Sequence, residues 1–467
     1  MNDKEYAMRL QTRTLMFVLL ISVIATPFAQ AEASLAMQAA TVTTTTTALT
    51  LVQARQLALS KSPSLRKAEL AVDQAALVKQ AQDYDFLPSL SATADGSSAY
   101  GSSSGYSSST SLVDGLSGSL AVSASATVFD GGNKAALSKK YDLATQAARE
   151  SLRSERITII DGVDSAFFTV LEDKASLEAA QNDLDAAKLR LQIAQTKADV
   201  GALSKADLLE TESETASYET TLLTARKTLA SAKAKLASLT GLPTGTELEQ
   251  IDFASYNTLL AKLAALDDTG LDKLIASLVA MAKALSPTLS SYAFATREAD
   301  MTLAAAKSAY LPSVSAGVTQ NFALASTGLS PTGSLSLSAT MSLDFWTTKN
   351  SVDQAVAAVK EAELDSSDQD STLDLDVTQA AYEWIASGLA IPSSAKALEY
   401  AQSNYQNVLE KFKLSSVTNS DLSTAQALVS VDRTALISAQ YTFLSNLSTL
   451  SGLVGLENEV KVLSVLP

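Results

Sequence analysis

The chain has 467 residues, no cysteine, no histidine and a formal charge of −15. Disulfide frameworks, lipid attachment through cysteine and Ser/His/Asp or Cys/His catalysis are thereby excluded, and the commonest metal ligand is missing. The acidic balance argues against nucleic acid as a partner, and 9 Pro and 18 Gly in such a length point to long unbroken elements.

Lys4, Arg9 and Arg13 precede an apolar run from Leu15 to Ala25, and Ala29-Gln30-Ala31 has the small-x-small form of a signal-peptidase site, so residues 1–31 are predicted to be a secretory signal peptide. The run is short for a membrane helix, and nothing later approaches about 20 uninterrupted apolar residues. Any crossing by the mature chain therefore falls to strands. Residues 32–50, rich in Ala and Thr, read as a flexible lead-in.

A duplication organises the rest. Ser62-Pro63-Ser64-Leu65 begins a run ending in Leu87-Pro88-Ser89-Leu90-Ser91-Ala92, and Ser286-Pro287-Thr288-Leu289 begins another, 224 positions on, ending in Leu311-Pro312-Ser313-Val314-Ser315-Ala316. The same element order follows each run. Repeat 1 is predicted over 51–241, with helices in 51–86, a β-hairpin in 87–130 and a helical hairpin in 133–241. Residues 242–270 link it to repeat 2 over 271–453, with helices in 271–310, a β-hairpin in 311–346 and a helical hairpin in 347–453; 454–467 is a tail.

Within each β-hairpin the period is two. Leu90, Ala92 and Ala94 alternate with Ser89, Ser91 and Thr93, and Leu120, Val122, Ala124, Ala126 and Val128 with Ser119, Ser123, Ser125 and Thr127. Leu335, Leu337, Ala339, Met341 and Leu343 alternate with Ser334, Ser336, Ser338, Thr340 and Ser342. Lengths near the 9 to 11 residues of a tilted membrane strand, one aliphatic face and one small hydroxylated face suit a barrel wall between lipid and a wet lumen. The alternative is a soluble sandwich edge. Phe86, Phe129, Tyr310, Phe345 and Trp346 all fall at the helix end of the strands, the placement of an aromatic girdle at a membrane interface, or of core packing where the two parts join.

After each hairpin the period becomes seven. Val163, Val170, Leu177, Leu184, Leu191 and Ala198 mark an outgoing seam and Leu208, Thr215, Leu222, Leu229 and Leu236 a returning one. Val377, Trp384, Ile391, Leu398, Tyr405 and Phe412, then Leu422, Val429, Leu436, Phe443 and Leu450, repeat the pattern. Pro392 predicts a kink or local opening. Pairing Gly452 with Gly241 makes the second returning helix three residues shorter.

Four strands cannot close a barrel, and an open edge in lipid leaves backbone groups unsatisfied at several kcal/mol each. Two copies would give eight strands with a filled interior, whereas three give twelve with an aqueous opening. The predicted fold class is therefore an α+β membrane protein, with long antiparallel helical hairpins and four transmembrane strands per chain contributing to a shared trimeric 12-stranded β-barrel.

The two Ser-Pro/Leu-Pro-Ser runs, Phe129-Asp130-Gly131-Gly132, Val200-Gly201 followed by Asp207-Leu208, and Leu239-Thr240-Gly241-Leu242 with Leu450-Ser451-Gly452-Leu453 together resemble the outer-membrane efflux protein (TolC) family over nearly the whole mature chain. The resemblance implies a homotrimeric channel-tunnel in outer-membrane lipid, extending into the periplasm and working with an inner-membrane pump and a periplasmic adaptor. It also implies a gate at the far helical tip, with Phe412 at the aromatic position, Asp421 as the first gate acid, and Asp207 and Glu210 at the matching tip of the first copy. Val417, Ser415 and Thr424 stand where arginine, glycine and a second acid are common in the family. The same acids fit another role, since Ser204-x-x-Asp207 and Thr418-x-x-Asp421 read as capping boxes.

The expected function is a passive duct for small-molecule efflux, not an enzyme, with no cofactor and no metal. Alternatives are the outer-membrane duct of a type I protein secretion system and a non-conducting coiled-coil surface protein. A carboxylate hydrolase built on acids such as Asp173 and Glu178 is disfavoured, because acids at helical spacing on polar faces are normally solvated.

Overall fold

A computed structural model describes residues 48–98, 116–325, 328–414, 416–458 and 460–463. The signal peptide, the lead-in as far as Thr47, most of the first hairpin loop, Ser415 and the last four residues of the tail lie outside the described residues. The elements in order are α1 (Leu51–Lys61), α2 (Pro63–Tyr84), β1 (Ser89–Ser98), β2 (Leu116–Phe129), α3 (Asn133–Asp199), α4 (Lys205–Thr240), a 3-10 turn (Phe253–Tyr256), α5 (Asn257–Ala264), α6 (Asp268–Leu285), α7 (Pro287–Ser308), β3 (Ser313–Ala325), β4 (Gly328–Thr340), α8 (Phe345–Lys413), α9 (Asn419–Val454) and α10 (Val460–Leu463).

The duplication is visible in backbone devices. Ser62 is extended at φ −67° and ψ 120°, and its hydroxyl accepts from the Leu65 amide, so α2 starts on Pro63. Ser286 does the same at φ −62° and ψ 120° for Leu289 and Pro287 of α7. Proline suits this first helical position because its missing N–H would have had no partner there. Each break turns a short helix into the 22-residue helix that leads into β1 or β3.

The returning helices correct one sequence expectation. Both α4 and α9 have 36 residues, and they end on left-handed glycines, Gly241 at φ 66° and Gly455 at φ 87°. Gly455, not Gly452, is thus the counterpart of Gly241, and no residues are lost between the copies. Gly452 lies inside α9, where a Cβ would come within 3.3 Å of Ile157. Of the kink or opening expected at Pro392, the opening does not occur, because α8 runs unbroken for 69 residues through that position.

Buried seams follow the seven-residue period. Val163, Val170, Ala187 and Ala194 on α3 and Leu222, Leu229 and Leu236 on α4 are buried, as are Val377, Trp384 and Phe412 on α8 and Leu422, Phe443 and Leu450 on α9. The linking segment, residues 242–270, supplies a second layer. Phe253 packs edge-on against Tyr441 at 5.4 Å, Tyr256 against Phe443 at 5.9 Å, and Phe443 stacks on Trp384 at 6.1 Å. Gly388 makes room for that stack, since a Cβ there would sit 3.1 Å from the Phe443 ring. Asp164, fully buried, accepts two hydrogen bonds of 2.6 Å from Arg55 and one of 2.6 Å from Ser448, tying α1, α3 and α9 together.

The strands form one antiparallel sheet in the order β1-β2-β3-β4. At the joint with the helices, the Asp130 carboxylate accepts from the Gly132 and Lys134 amides at 3.0 and 2.8 Å, which starts α3 immediately after the strand. Gly131 sits so close to Ser308 that a Cβ would lie 2.7 Å from its carbonyl oxygen.

The two kinds of left-handed glycine should separate experimentally. A Cβ on Gly132, at φ 90°, meets nothing within 4 Å, whereas one on Gly455 would lie 2.5 Å from the Leu285 carbonyl oxygen. Gly132→Ala should lower stability by about 1–2 kcal/mol, the backbone cost alone. Gly455→Ala should lower it measurably more, read as the larger fall in thermal midpoint in detergent.

Candidate functional site

Two regions carry the arrangement that bears on function, the sheet and the far tip of the helices. Leu90, Ala124, Val318 and Leu335 lie in one row across the sheet, and Ala126, Ala316 and Leu337 in the next row of that face. Its aliphatic side chains are uncovered, with Leu335 82% and Leu337 77% exposed. The opposite face holds Ser89, Ser125, Gly317 and Ser336 in one row and Ser91, Ser123, Thr319 and Ser334 in another. Its hydroxyls bond across the strands, Ser89 to Ser125 at 2.8 Å, Ser91 to Ser123 at 2.7 Å and Ser315 to Ser338 at 2.8 Å. An aliphatic face open to its surroundings and a hydroxylated face behind it is the profile of a wall between hydrocarbon and water. β1 and β4 are its two edges.

The predicted girdle residues stand where strands meet helices. Trp346 is 79% exposed, Phe86, Phe129 and Phe345 are about half exposed, and Tyr310 is partly buried.

At the far tip the two acids differ. Thr418 and Asp421 form the reciprocal box read from the sequence: the Thr418 hydroxyl accepts from the Asp421 amide at 3.1 Å, and the Asp421 carboxylate accepts from the Thr418 amide at 2.8 Å and its hydroxyl at 2.7 Å. Those bonds hold the Asp421 carboxyl below its ordinary value of 3.8, the hydroxyl contributing most. In the first copy only half the box forms. Ser204 accepts from the Asp207 amide at 3.1 Å, while the carboxylates of Asp207 and Glu210 make no hydrogen bond among the described residues.

Phe412 stands apart from these acids. It is 1% exposed and packs with Leu409 and Leu422 against Ile193 and Val417. The heptad explains why: Phe412 is the last outgoing knob of α8, and the seam takes its ring. Lys197 of α3 covers that ring at 3.8 Å and donates to the Phe412 carbonyl oxygen. Burial pushes the Lys197 amine down.

The sequence reading did not find the polar bonds that join the two helical hairpins near the tip. Arg190 pairs with Glu214, which also accepts from Ser423 at 2.7 Å. Asn419 donates to Thr211 at 3.0 Å, Gln426 to the Asp183 carbonyl at 3.0 Å and Arg433 to the Asp183 carboxylate at 2.8 Å. The one available signal was polar residues at seam-flanking positions, which a heptad count passes over. No group of three or more acids is gathered for a metal ion among the described residues. No single described helix is long and apolar enough to cross a membrane.

A family model described as outer membrane efflux protein matches residues 54–242 and 278–456, one segment in each repeat. The chain belongs to the outer membrane efflux protein family. The fold of this family member is shared with solved channels at low identity. CusC aligns with a TM-score of 0.76 at 17% identity, over 87% of this chain and 92% of that one. VceC of Vibrio cholerae aligns at 0.73 and 16%, over 87% and 96%. The CmeC channel of Campylobacter jejuni aligns at 0.73 and 16%, over 87% and 85%. No curated protein matches in sequence. The efflux family member is a transport protein of the outer membrane reaching into the periplasm, a channel and not an enzyme.

The depressed Asp421 pKa fixes the sign of a pH effect. A carboxyl lower in the folded than in the unfolded chain stabilises above its unfolded value and loses that contribution as pH falls through its folded value. Asp421→Asn should therefore unfold at a lower temperature than the unsubstituted protein at pH 7. The two melting curves should converge as pH drops below 3.8.

Proposed function

We propose that three copies of this efflux channel close a single barrel of 3 × 4 = 12 strands and continue it with their helices as a passive duct. The duct serves small-molecule efflux, powered by an inner-membrane pump through a periplasmic adaptor. The observation that carries the reading is the four-stranded sheet with an uncovered aliphatic face, a hydroxylated face and two open edges, β1 and β4. In hydrocarbon each unpaired edge group costs several kcal/mol, so the edges must meet other strands. Twelve strands leave an aqueous bore where eight would fill it.

Phe86, Phe129, Tyr310, Phe345 and Trp346 then form the girdle at the periplasmic interface, where exposed aromatic rings are stable between apolar and wet surroundings. Asp207, Glu210 and Asp421 form the acidic mouth at the helical tip. Threefold symmetry would turn each into a ring of like charge that favours cations in a narrow passage. Asp207 and Glu210, whose carboxylates have no hydrogen-bond partner among the described residues, contribute more field than Asp421, whose charge is partly spent on its own helix start.

The purified protein should have the native mass of three chains in mild detergent and conduct in planar bilayers. A single-chain mass or a silent bilayer would reject the duct. Deletion should sensitise cells to several unrelated toxic compounds; loss of one secreted protein instead would indicate a type I secretion duct. Asp207→Ala and Asp421→Ala should each reduce cation preference in single-channel reversal potentials, with the larger change for Asp207. Unchanged selectivity in both would reject the acidic mouth.

A further inference from the structure

Between the two helical hairpins, α3 on one side and α8 and α9 on the other border a cleft of about 470 Å³. That is the size of a small-molecule site. Asp183, Gln426 and Arg433, which take part in the polar bonds near the tip, belong to its wall. Neither the barrel nor the acidic mouth makes use of it.

The wall is rich in carboxamides. Asn182 of α3 and Gln402 and Gln406 of α8 are exposed, and their side chains bond to no other residue among those described. A fourth, Gln426 of α9, is 2% exposed. Its Nε2 donates to the Asp183 carbonyl at 3.0 Å, while its Oε1 has no hydrogen-bond partner among the described residues. Buried acceptors are nearly always met, so an unmet one in the wall of a cleft marks a place for a donor from outside the chain. The duplicated seam does not account for the grouping, because the residues 214 positions before Gln402, Tyr405 and Gln426 are Lys188, Leu191 and Glu212.

The charges around the cleft are already matched. Arg433 pairs with Asp183 at 2.8 Å and Lys396 with Glu399 at 2.7 Å. The cleft therefore offers dipoles and no unpaired charge, which favours a neutral ligand over an ion. Each carboxamide can donate and accept at once, as can the hydroxyls of a sugar. Tyr405, half-buried in the same wall, adds an aromatic surface with a polar tip, and Ala186 and Val429 add an apolar one. Sugar rings, with polar edges and C–H faces, match that mixture.

We propose that this cleft binds a neutral mono- or disaccharide, held by the carboxamides of Asn182, Gln402, Gln406 and Gln426 with a C–H face against Tyr405. A sugar bound there touches both hairpins and adds to the hydrogen bonds that join them. The site is formed within one chain, so it does not rest on the three-copy barrel.

Titration calorimetry on the full protein, in a detergent without a sugar headgroup, should detect binding of cellobiose or N,N′-diacetylchitobiose. The bound sugar should also raise the thermal midpoint. Gln402→Ala with Gln406→Ala, both at exposed positions, should leave the unliganded midpoint unchanged and weaken binding about tenfold or more. Gln426→Leu should weaken it as well. No heat and no midpoint shift with either disaccharide would leave water as the occupant and overturn the site. Binding that the double variant does not weaken would put the sugar elsewhere and overturn it equally. Tighter binding of spermidine than of either sugar would overturn the neutral ligand. The conductance of the unsubstituted protein in planar bilayers is independent of all these results, so the duct stands or falls separately.

Discussion

Backbone hydrogen bonding at the two edges of one small sheet constrains the rest of the molecule. β1 and β4 each have one side unpaired, and the face they share with β2 and β3 is aliphatic and uncovered. Water could satisfy those edge groups, but it could not favour the aliphatic face; hydrocarbon favours the face and cannot satisfy the edges. Only pairing with further strands resolves both demands. The helices inherit the consequence, because the four that are continuous with strands, α2, α3, α7 and α8, repeat the lateral order of those strands.

The helical part is held by two chemistries at two heights. Near its middle the packing is apolar and aromatic, with the rings of Trp384, Phe443, Tyr256 and Phe253 from three segments in successive contact and Phe167, Leu263 and Leu278 buried around them. Toward the tip the apolar cores are small, Ala180, Leu184 and Leu222 in the first hairpin, and Leu409, Phe412 and Leu422 in the second with Ile193 of the first packed against them. The links between the hairpins there are mostly hydrogen bonds and ion pairs, such as Arg433 to Asp183 and Asn419 to Thr211. Net contributions of such bonds are about 1 kcal/mol each, smaller than the burial of a large aromatic side chain. The middle is consequently the firm part of the bundle and the tip the part whose hairpins are least strongly joined.

How much of the site the sequence carried depended on whether a residue's role was local. The Thr418 to Asp421 box was legible because capping is a matter of three residues and one turn. Its first-copy equivalent was half right, since whether Asp207 returns its bond to the Ser204 amide depends on rotamer and not on spacing. Phe412 carried two readings. The family resemblance put it in the constriction and the seven-residue seam put it in a packed core, and the structure shows the burial that the seam called for. Arg190 and Glu214 were invisible, as two charged residues 24 apart announce nothing until the hairpin brings them together.

The sequence alone determined the duplication, the strands, the long helices and the exclusion of histidine- and cysteine-based catalysis, because periodicity, proline, glycine and missing residue types act within a few turns of chain. Only the tertiary structure decided that Gly455 ends the second returning helix, that α8 passes through Pro392 unbroken, and that residues 242–270 pack into the middle of the bundle. Those outcomes turn on competition between distant surfaces for the same space, and the energy of that competition is not written in any one stretch of the chain.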